Sequence, residues 1–358
     1  MSNWRIFQGV ADPHDGIDGL PDPPPWRDFR QDGAATTPFD RERHEGSGRR
    51  LPQSSPYYAD DQVVEAVNTA LYLRRPLLIT GEPGAGKSTL ADAVARELKL
   101  GTVLRWPVNS KTTLREGLYR YDSLGRLEEA GAAREANGAK TTADAARKAN
   151  GAEDEADARK ATDLGRYVSL GPLGTALAPY SLPRVLLIDE IDKSDLDLPN
   201  DLLDVFEEGG FEIPELARSA DQQGEVHVRP ADGGSPVLVR SGAVQCEAFP
   251  FVILTSNGER EFAPAFLRRC VRLALPSVTS NEKRLNAVVR AHLPEAEEHA
   301  TELVRRFKEH AQTGELATDQ LLNALYLVSR TSAEGAPSRD RLVQLVFQHL
   351  QVTVLDQP

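Results

Sequence analysis

The sequence predicts an α/β fold, a doubly wound parallel sheet followed by an all-helical domain, and three observations carry that prediction. Short apolar runs of buried-strand type recur at Pro76-Leu-Leu-Ile-Thr80, Val185-Leu-Leu-Ile188 and Phe251-Val-Ile-Leu-Thr255, with helical sequence between them. The first run passes through a glycine-rich turn into a helical pattern that continues to Leu98, a strand–loop–helix order. After Pro276 the apolar positions fall at helical spacing: Leu285, Val288 and Val289, then Leu303, Val304 and Phe307, then Leu321, Leu322, Leu325 and Leu327, then Leu342, Leu345, Val346 and Leu350.

Taken from the start, residues 1–55 hold Pro23-Pro24-Pro25 and the basic pair Arg49-Arg50 but few periodic apolar positions, so an extended or partly disordered arm is expected. Its aromatic residues Trp4, Phe7, Trp26 and Phe29 are unusual for a free linker, and the arm has the alternative of lying across its own core or a neighbouring subunit. The α/β core is expected over 56–276, opening with a helical pattern at Val63, Val64, Val67, Ala70 and Leu71. Residues 126–163 interrupt it with an imperfect repeat, AAREANGAK at 132–140 and AARKANGAE at 145–153. Asn-Gly breaks each copy and apolar anchors are lacking, so this insertion is expected to be a solvated, helical or partly disordered excursion. Residues 277–358 form the expected helical lid.

Composition narrows the class. Forty-two Lys and Arg against 54 Asp and Glu leave a net charge of −12, which weighs against a polyanion binder working by counterion release, so a nucleic-acid partner is not expected. The two cysteines, Cys246 and Cys270, form no CxxC pair, which removes a disulfide framework and the common zinc spacings. No apolar run approaches the length of a membrane span, and the expected setting is the cytoplasm.

The chemistry concentrates at three strand ends. Gly81-Glu82-Pro83-Gly84-Ala85-Gly86-Lys87-Ser88 fills the G-x-x-x-x-G-K-[ST] phosphate-loop (P-loop, Walker A) pattern, and Thr89 continues into the helix. Glycines let successive N–H groups curl toward phosphate, Lys87 balances the β and γ charges of ATP, and Ser88 offers a ligand to Mg2+. The second run ends in Asp189-Glu190: Asp189 is placed to hold the hydrated magnesium, and Glu190 to orient and polarise an attacking water. The third ends in Ser256-Asn257, whose amide can hydrogen-bond both water and γ-phosphate. Phe266-Leu-Arg268-Arg269-Cys270 follows a short helix begun near Pro264, and its two arginines suit the γ-phosphate of a neighbouring subunit better than their own. In the last helical block, Arg339 is a candidate to reach the phosphates from the lid, with Arg341 as competitor.

The order GEPGAGKS, VLLIDEID, TSN and FLRRC, then a helical tail, resembles AAA+ ATPases, and within them the MoxR-like, helix-2-insert group, from about residue 60 to the C-terminus. The resemblance implies an AAA+ core and lid that bind ATP between subunits of a ring, usually a hexamer, with Arg269 as arginine finger, Asn257 as sensor 1 and Arg339 as the foremost sensor 2. It also implies a partner with a von Willebrand factor A domain and a chaperone role on a target complex. Two segments support the subgroup: Tyr167-Val-Ser-Leu-Gly-Pro-Leu-Gly174 and Glu225–Gln245, both expected as hairpins, with Tyr167 and Leu170 as candidate contact residues for the pore or a partner.

A small-molecule kinase would not need Asp-Glu, Asn257 and paired arginines in this order, and no Asn-Lys-x-Asp motif marks a GTPase. Two alternatives share the core chemistry and stay open at the level of sequence: a nucleic-acid-linked, restriction-type NTPase, and a nucleotide-gated switch in a defence or signalling assembly.

Overall fold

The computed structural model describes residues 4–30, 36–41, 57–140, 164–221, 224–276, 323, 326 and 327. The chain enters the core through α1 (Asp61–Leu73), whose first turn is capped by Asp60 accepting from Val63 N at 2.9 Å. It continues through β1 (Leu77–Thr80), α2 (Thr89–Glu97), β2 (Leu104–Pro107), α3 (Leu114–Leu118), β3 (Tyr119–Tyr121) and α4 (Ser123–Lys140). Next come β4 (Val168–Leu170), α5 (Pro172–Ala176), β5 (Val185–Asp189), α6 (Leu198–Glu208), β6 (Gly210–Glu212) and α7 (Pro214–Ala217). The described core closes with β7 (Glu225–Val228), β8 (Val237–Arg240), β9 (Ala243–Gln245), β10 (Phe251–Ser256), α8 (Pro264–Arg269) and β11 (Val271–Ala274).

Five strands form one parallel sheet in the order β11-β1-β10-β5-β2. The three apolar runs are its centre, and every residue of β10 is buried. The outer strands β2 and β11 escaped the sequence reading for a physical reason. Leu-Arg-Trp-Pro and Val-Arg-Leu-Ala alternate buried with exposed positions, as edge strands do, so neither makes a continuous apolar run. Apolar residues on the two sheet faces form two clusters, one under α1 and α2 and the other under α5, α6 and the smaller sheets.

The expected hairpin at 167–174 is corrected. Tyr167 ends a short 3-10 helix (Leu164–Tyr167), β4 pairs antiparallel with β3, and Pro172 starts α5, where its missing N–H costs nothing. Tyr167 and Leu170 are buried, and the Tyr167 hydroxyl donates to Glu129, so both serve as core residues and the contact role assigned to them is withdrawn. The second hairpin does form: β7 and β8 pair in register with Val226, Val228, Val237 and Val239 turned inward, and β9 and β6 extend it to four strands in the order β6-β9-β8-β7. In the insertion, Ser123–Lys140 is one helix despite the Asn137-Gly138 step, and residues 141–163 lie outside the described residues. The same holds for nearly all of the expected lid, Arg339 and Arg341 included.

The arm packs on the core. Of the two alternatives for residues 4–30, the structure shows packing against the chain's own core, with Ile6, Phe7 and Ile17 inside the cluster beneath α1 and α2. Two buried polar side chains clamp this strap. Asn68 on α1 accepts from Ile6 N (2.6 Å) and Phe7 N (3.0 Å) and donates to Phe7 O and Val64 O, both at 2.7 Å. Glu97, the last residue of α2, accepts from Gln8 N, Val10 N and the His14 ring, and burial pushes its carboxyl pKa up. Trp4 lies edge-on against Tyr72, whereas Trp26 stands out in solvent.

Because all four hydrogen-bonding positions of the Asn68 amide are used, Asn68→Ala leaves two strap N–H groups and a carbonyl unpaired in the core. We expect a loss of about 2–4 kcal/mol, read as a lower urea midpoint. An unchanged midpoint would mean that the strap lies outside the cooperative unit.

Candidate functional site

The carboxyl ends of β1, β5 and β10 meet at one edge of the sheet, because parallel pairing in register sets Thr80 beside Ser256 and Leu254 beside Ile188. The loop Gly81–Ser88 leaves β1 there. Gly84 and Gly86 have φ of 76° and 79°, a region that side-chain-bearing residues enter only under strain, which is why the tight curl needs glycine at these points. Ser88 sits at the N-cap of α2, and Ala85 is buried beneath the loop while Glu82 and Pro83 face solvent.

Lys87 is buried, and its ammonium donates to Gly81 O (2.6 Å), Glu82 O (2.9 Å) and Asn257 Oδ1 (2.7 Å). Burial pulls its pKa down, while the charges of Asp192, Asp189, Glu190 and Glu82 act in the opposite sense. Three acceptors therefore occupy the three N–H directions of the ammonium.

At the end of β5, Asp189 Oδ1 accepts from Ser88 Oγ at 2.8 Å and from Thr255 Oγ1 at 2.6 Å. The Thr255 hydroxyl in turn accepts from Glu190 N at 2.9 Å, so one buried side chain on β10 fixes both acidic residues. Glu190 takes the left-handed conformation, φ 62° and ψ 48°, which costs a non-glycine residue about 1 kcal/mol and persists only where its surroundings impose it. Its carboxylate pairs with Lys193 Nζ at 3.0 Å, both side chains being nearly half exposed. That hydrogen bond is the main cause of the raised Lys193 pKa.

Asn257 follows β10. Its backbone N–H and that of Glu259 both donate to Asp192 Oδ2, at 2.8 and 3.1 Å, so the buried Asp192 holds the loop that carries the Asn257 amide. The other oxygen, Oδ1, is buried without a hydrogen-bond partner among the described residues. Thr255, Asp192 and Lys193 were missed at the level of sequence. Their only signals were the last position of the third apolar run and the continuation of Asp189-Glu190 into Ile-Asp-Lys.

The structure thus brings together Lys87, Ser88, Asp189, Glu190 and Asn257 within one chain. It does not add the arginines: Arg269 Nε donates to Glu207 on α6 at 3.0 Å and its Nη1 reaches Ala265 O at 3.4 Å, while Arg268 is exposed. As to a cation, Ser88 Oγ and Asp189 Oδ1 present two hard oxygens at one point, and the described residues contain no group of three or more His, Cys, Asp or Glu able to hold a metal. That donor set fits Mg2+ completed by phosphate and water oxygens rather than by a protein cage. Cys246 is buried and Cys270 partly buried, and burial pushes both thiol pKa values up to about 12, so neither is a thiolate at neutral pH.

A glycine loop running into a helix, a buried lysine within it and an Asp-Glu pair on a neighbouring parallel strand define a P-loop nucleotide-binding protein. Residues 76–270 match the family model described as AAA domain (dynein-related subfamily), and the chain belongs to that family, one of nucleotide-hydrolysing ATPases. No curated protein matches the chain. Among solved structures it is similar to NtrX from Brucella abortus in complex with ATP, at 16% identity and TM-score 0.39, covering 86% of this chain and 58% of that one. PCH-2 of C. elegans follows at 14% and 0.33, covering 78% and 61%, and the FIGL-1 AAA domain in complex with ADP at 13% and 0.34, covering 78% and 71%. The chain thus spans less than two thirds of the length of the first two, and the family assignment rests on the matched residues 76–270.

Asp192→Ala strips the Asn257 and Glu259 N–H groups of their acceptor. The expected loss is about 1–3 kcal/mol in urea unfolding, with increased hydrogen exchange at those two amides. Unchanged exchange there would remove Asp192 as the anchor of the loop.

Proposed function

We propose that this chain hydrolyses ATP between subunits of a ring and uses the cycle to remodel a partner protein complex. The observation that carries the reading is the shared network at the sheet edge, in which Thr255 fixes Asp189 and Glu190 while Asn257 reaches Lys87. In the reaction a water oxygen bonds to the γ-phosphorus, the bond to the bridging β–γ oxygen breaks, ADP leaves, and the water protons end on phosphate and solvent.

Lys87 exchanges its carbonyl and amide acceptors for β- and γ-phosphate oxygens, and the loop N–H groups of Gly81–Ser88 with Thr89 line the phosphates. Ser88 and Asp189 would hold Mg2+, which when bound would neutralise charge on the phosphate oxygens. Glu190 accepts a hydrogen bond from the attacking water and orients it. To do so it leaves Lys193, and a pair this exposed gives way at a cost of about 0–1 kcal/mol. Asn257, freed from Lys87, bridges water and γ-phosphate as sensor 1. Arg269, with Arg268 beside it, serves the nucleotide of the next subunit, and Arg339 is the proposed lid arginine.

The finer assignment, a MoxR-like chaperone working as a cytoplasmic hexamer with a von Willebrand factor A domain partner, rests on the motif order in the sequence and belongs to the same proposal. No helix among the described residues is long and apolar enough to cross a membrane. The net charge of −12 favours a protein client over nucleic acid.

Glu190→Gln should bind ATP with near-native affinity and lose turnover by about 100-fold or more, whereas Lys87→Ala should lose nucleotide binding itself. Light scattering of the Glu190→Gln protein with Mg-ATP should give the mass of a hexamer. Undiminished turnover removes Glu190 from its role, and a nucleotide-bound monomer in every condition favours the gated switch.

A further inference from the structure

The strap lies outside the residues that match the family, yet it reaches the face that carries the arginine pair. Arg27, only 4% exposed, donates through Nε and Nη2 to Arg74 O at the end of α1 (3.2 and 2.8 Å) and through Nη1 to Phe206 O on α6 (2.8 Å). Its guanidinium lies 5.5 and 4.8 Å from the ring centroids of Phe29 and Phe249, two rings that also pack against each other. Close approach is built in at Gly209, the left-handed cap of α6, where a Cβ would come within 2.6 Å of the Phe29 ring. Burial disfavours the charge on Arg27, and the charge of Glu207 supports it.

Glu207 is shared between two arginines. Its Oε2 lies 3.6 Å from Arg27 Nη1, and its Oε1 accepts from Arg269 Nε at 3.0 Å. With Oε2 turned to Arg27, Glu207 can offer Arg269 a single oxygen and not the two-oxygen fork that would tie up a pair of its N–H groups. Arg269 Nη2 makes no hydrogen bond among the described residues, and Nη1 has only the long contact to Ala265 O.

We propose that Arg27 and Glu207 are positioning residues for Arg269: the strap fixes Glu207, and Glu207 holds the Arg269 guanidinium by its Nε edge with the terminal N–H groups free for a neighbouring copy's phosphate. The inference rests on the trans-acting arginine of the proposed function. It extends that reading by making the N-terminal strap a working part of the subunit that donates the arginine.

The test mixes two inactive proteins. Lys87→Ala cannot bind nucleotide but keeps Arg269, and Arg269→Ala binds nucleotide but has no arginine to give, so together they should recover ATP turnover at their mixed interfaces. Glu207→Gln is then added to one partner at a time, with Arg27→Ala as a second variant. Glu207 is half exposed, so its amide isostere retains the packing should Arg27→Ala fail to fold. On the Lys87→Ala partner, the substitution should reduce the recovered rate by about tenfold or more with KM for ATP unchanged. On the Arg269→Ala partner it should leave the recovered rate within about twofold. Equal loss on both partners would mean a general structural role, and no loss on either would remove the coupling; both overturn the inference while leaving the trans arginine intact. If the two parent proteins recover nothing together, the trans arginine itself fails and the inference falls with it.

Discussion

A buried ammonium sets the terms for the rest of the site. Lys87 sits at the mouth of a loop whose curl needs Gly84 and Gly86, and its charge is carried into a place where solvent gives little help. It remains tolerable there because two carbonyls and the Asn257 amide take its hydrogens and four carboxylates lie close enough to favour the charged form. Those groups belong to three strand ends, so the site depends on the parallel register of β1, β10 and β5. A slip of one residue between any two would turn Thr255 or Asp189 to the opposite face. The network around Asp189 therefore reports on the sheet as much as on the nucleotide.

The same register explains why so much of the core was legible. Central parallel strands are buried on both faces, so they read as unbroken apolar runs, and the residue that ends each run is at the functional edge. Asp189, Glu190 and Asn257 could be placed from that logic, and Lys87 from the glycine pattern that follows the first run. What escaped is what lacks that signature. Edge strands β2 and β11 alternate. The β3–β4 pair joins residues about fifty apart, which no hairpin pattern between Tyr167 and Gly174 could disclose. Asp192 works through backbone N–H groups, and a side chain that only holds a loop leaves no mark beyond its residue type.

The strap was the hardest part to read because its anchors are polar. Residues 4–30 contribute few apolar positions to the core, and composition alone could not choose between a free arm and a packed one. What tips the balance lies on the other side of the contact: Asn68 on α1 and Glu97 at the end of α2, each nearly inaccessible and each satisfied by strap N–H groups. Asn68 is a polar residue among the buried apolar positions of α1, and nothing in its type alone marks a partner outside the helix. Since α2 begins at the phosphate loop and ends at Glu97, the strap is tied to the far end of the helix whose N-terminus faces the nucleotide site.

The ion pairs divide by exposure in a way that matches this division of labour. Arg184, 2% exposed and packed against Phe39 and Tyr180, pairs with the nearly buried Asp232 at 2.7 Å, and Arg27 is packed against Phe29 and Phe249. Breaking the Arg184–Asp232 pair would strand a charge in a poor solvent, at a cost of several kcal/mol, so it acts as a fixed joint, as do the hydrogen bonds from Arg27 to the Arg74 and Phe206 carbonyls. Glu190–Lys193 and Glu207–Arg269 are nearly half exposed on both sides, and each is worth about 0–1 kcal/mol. The weak pairs therefore hold Glu190, which in the proposed cycle exchanges Lys193 for water, and Arg269, whose Nη2 makes no hydrogen bond among the described residues, while the strong contacts hold the frame. Glu207 stands at the boundary: one oxygen faces the buried Arg27 and the other accepts from the exposed Arg269, so in the proposed arrangement a fixed contact sets the direction of the Arg269 guanidinium.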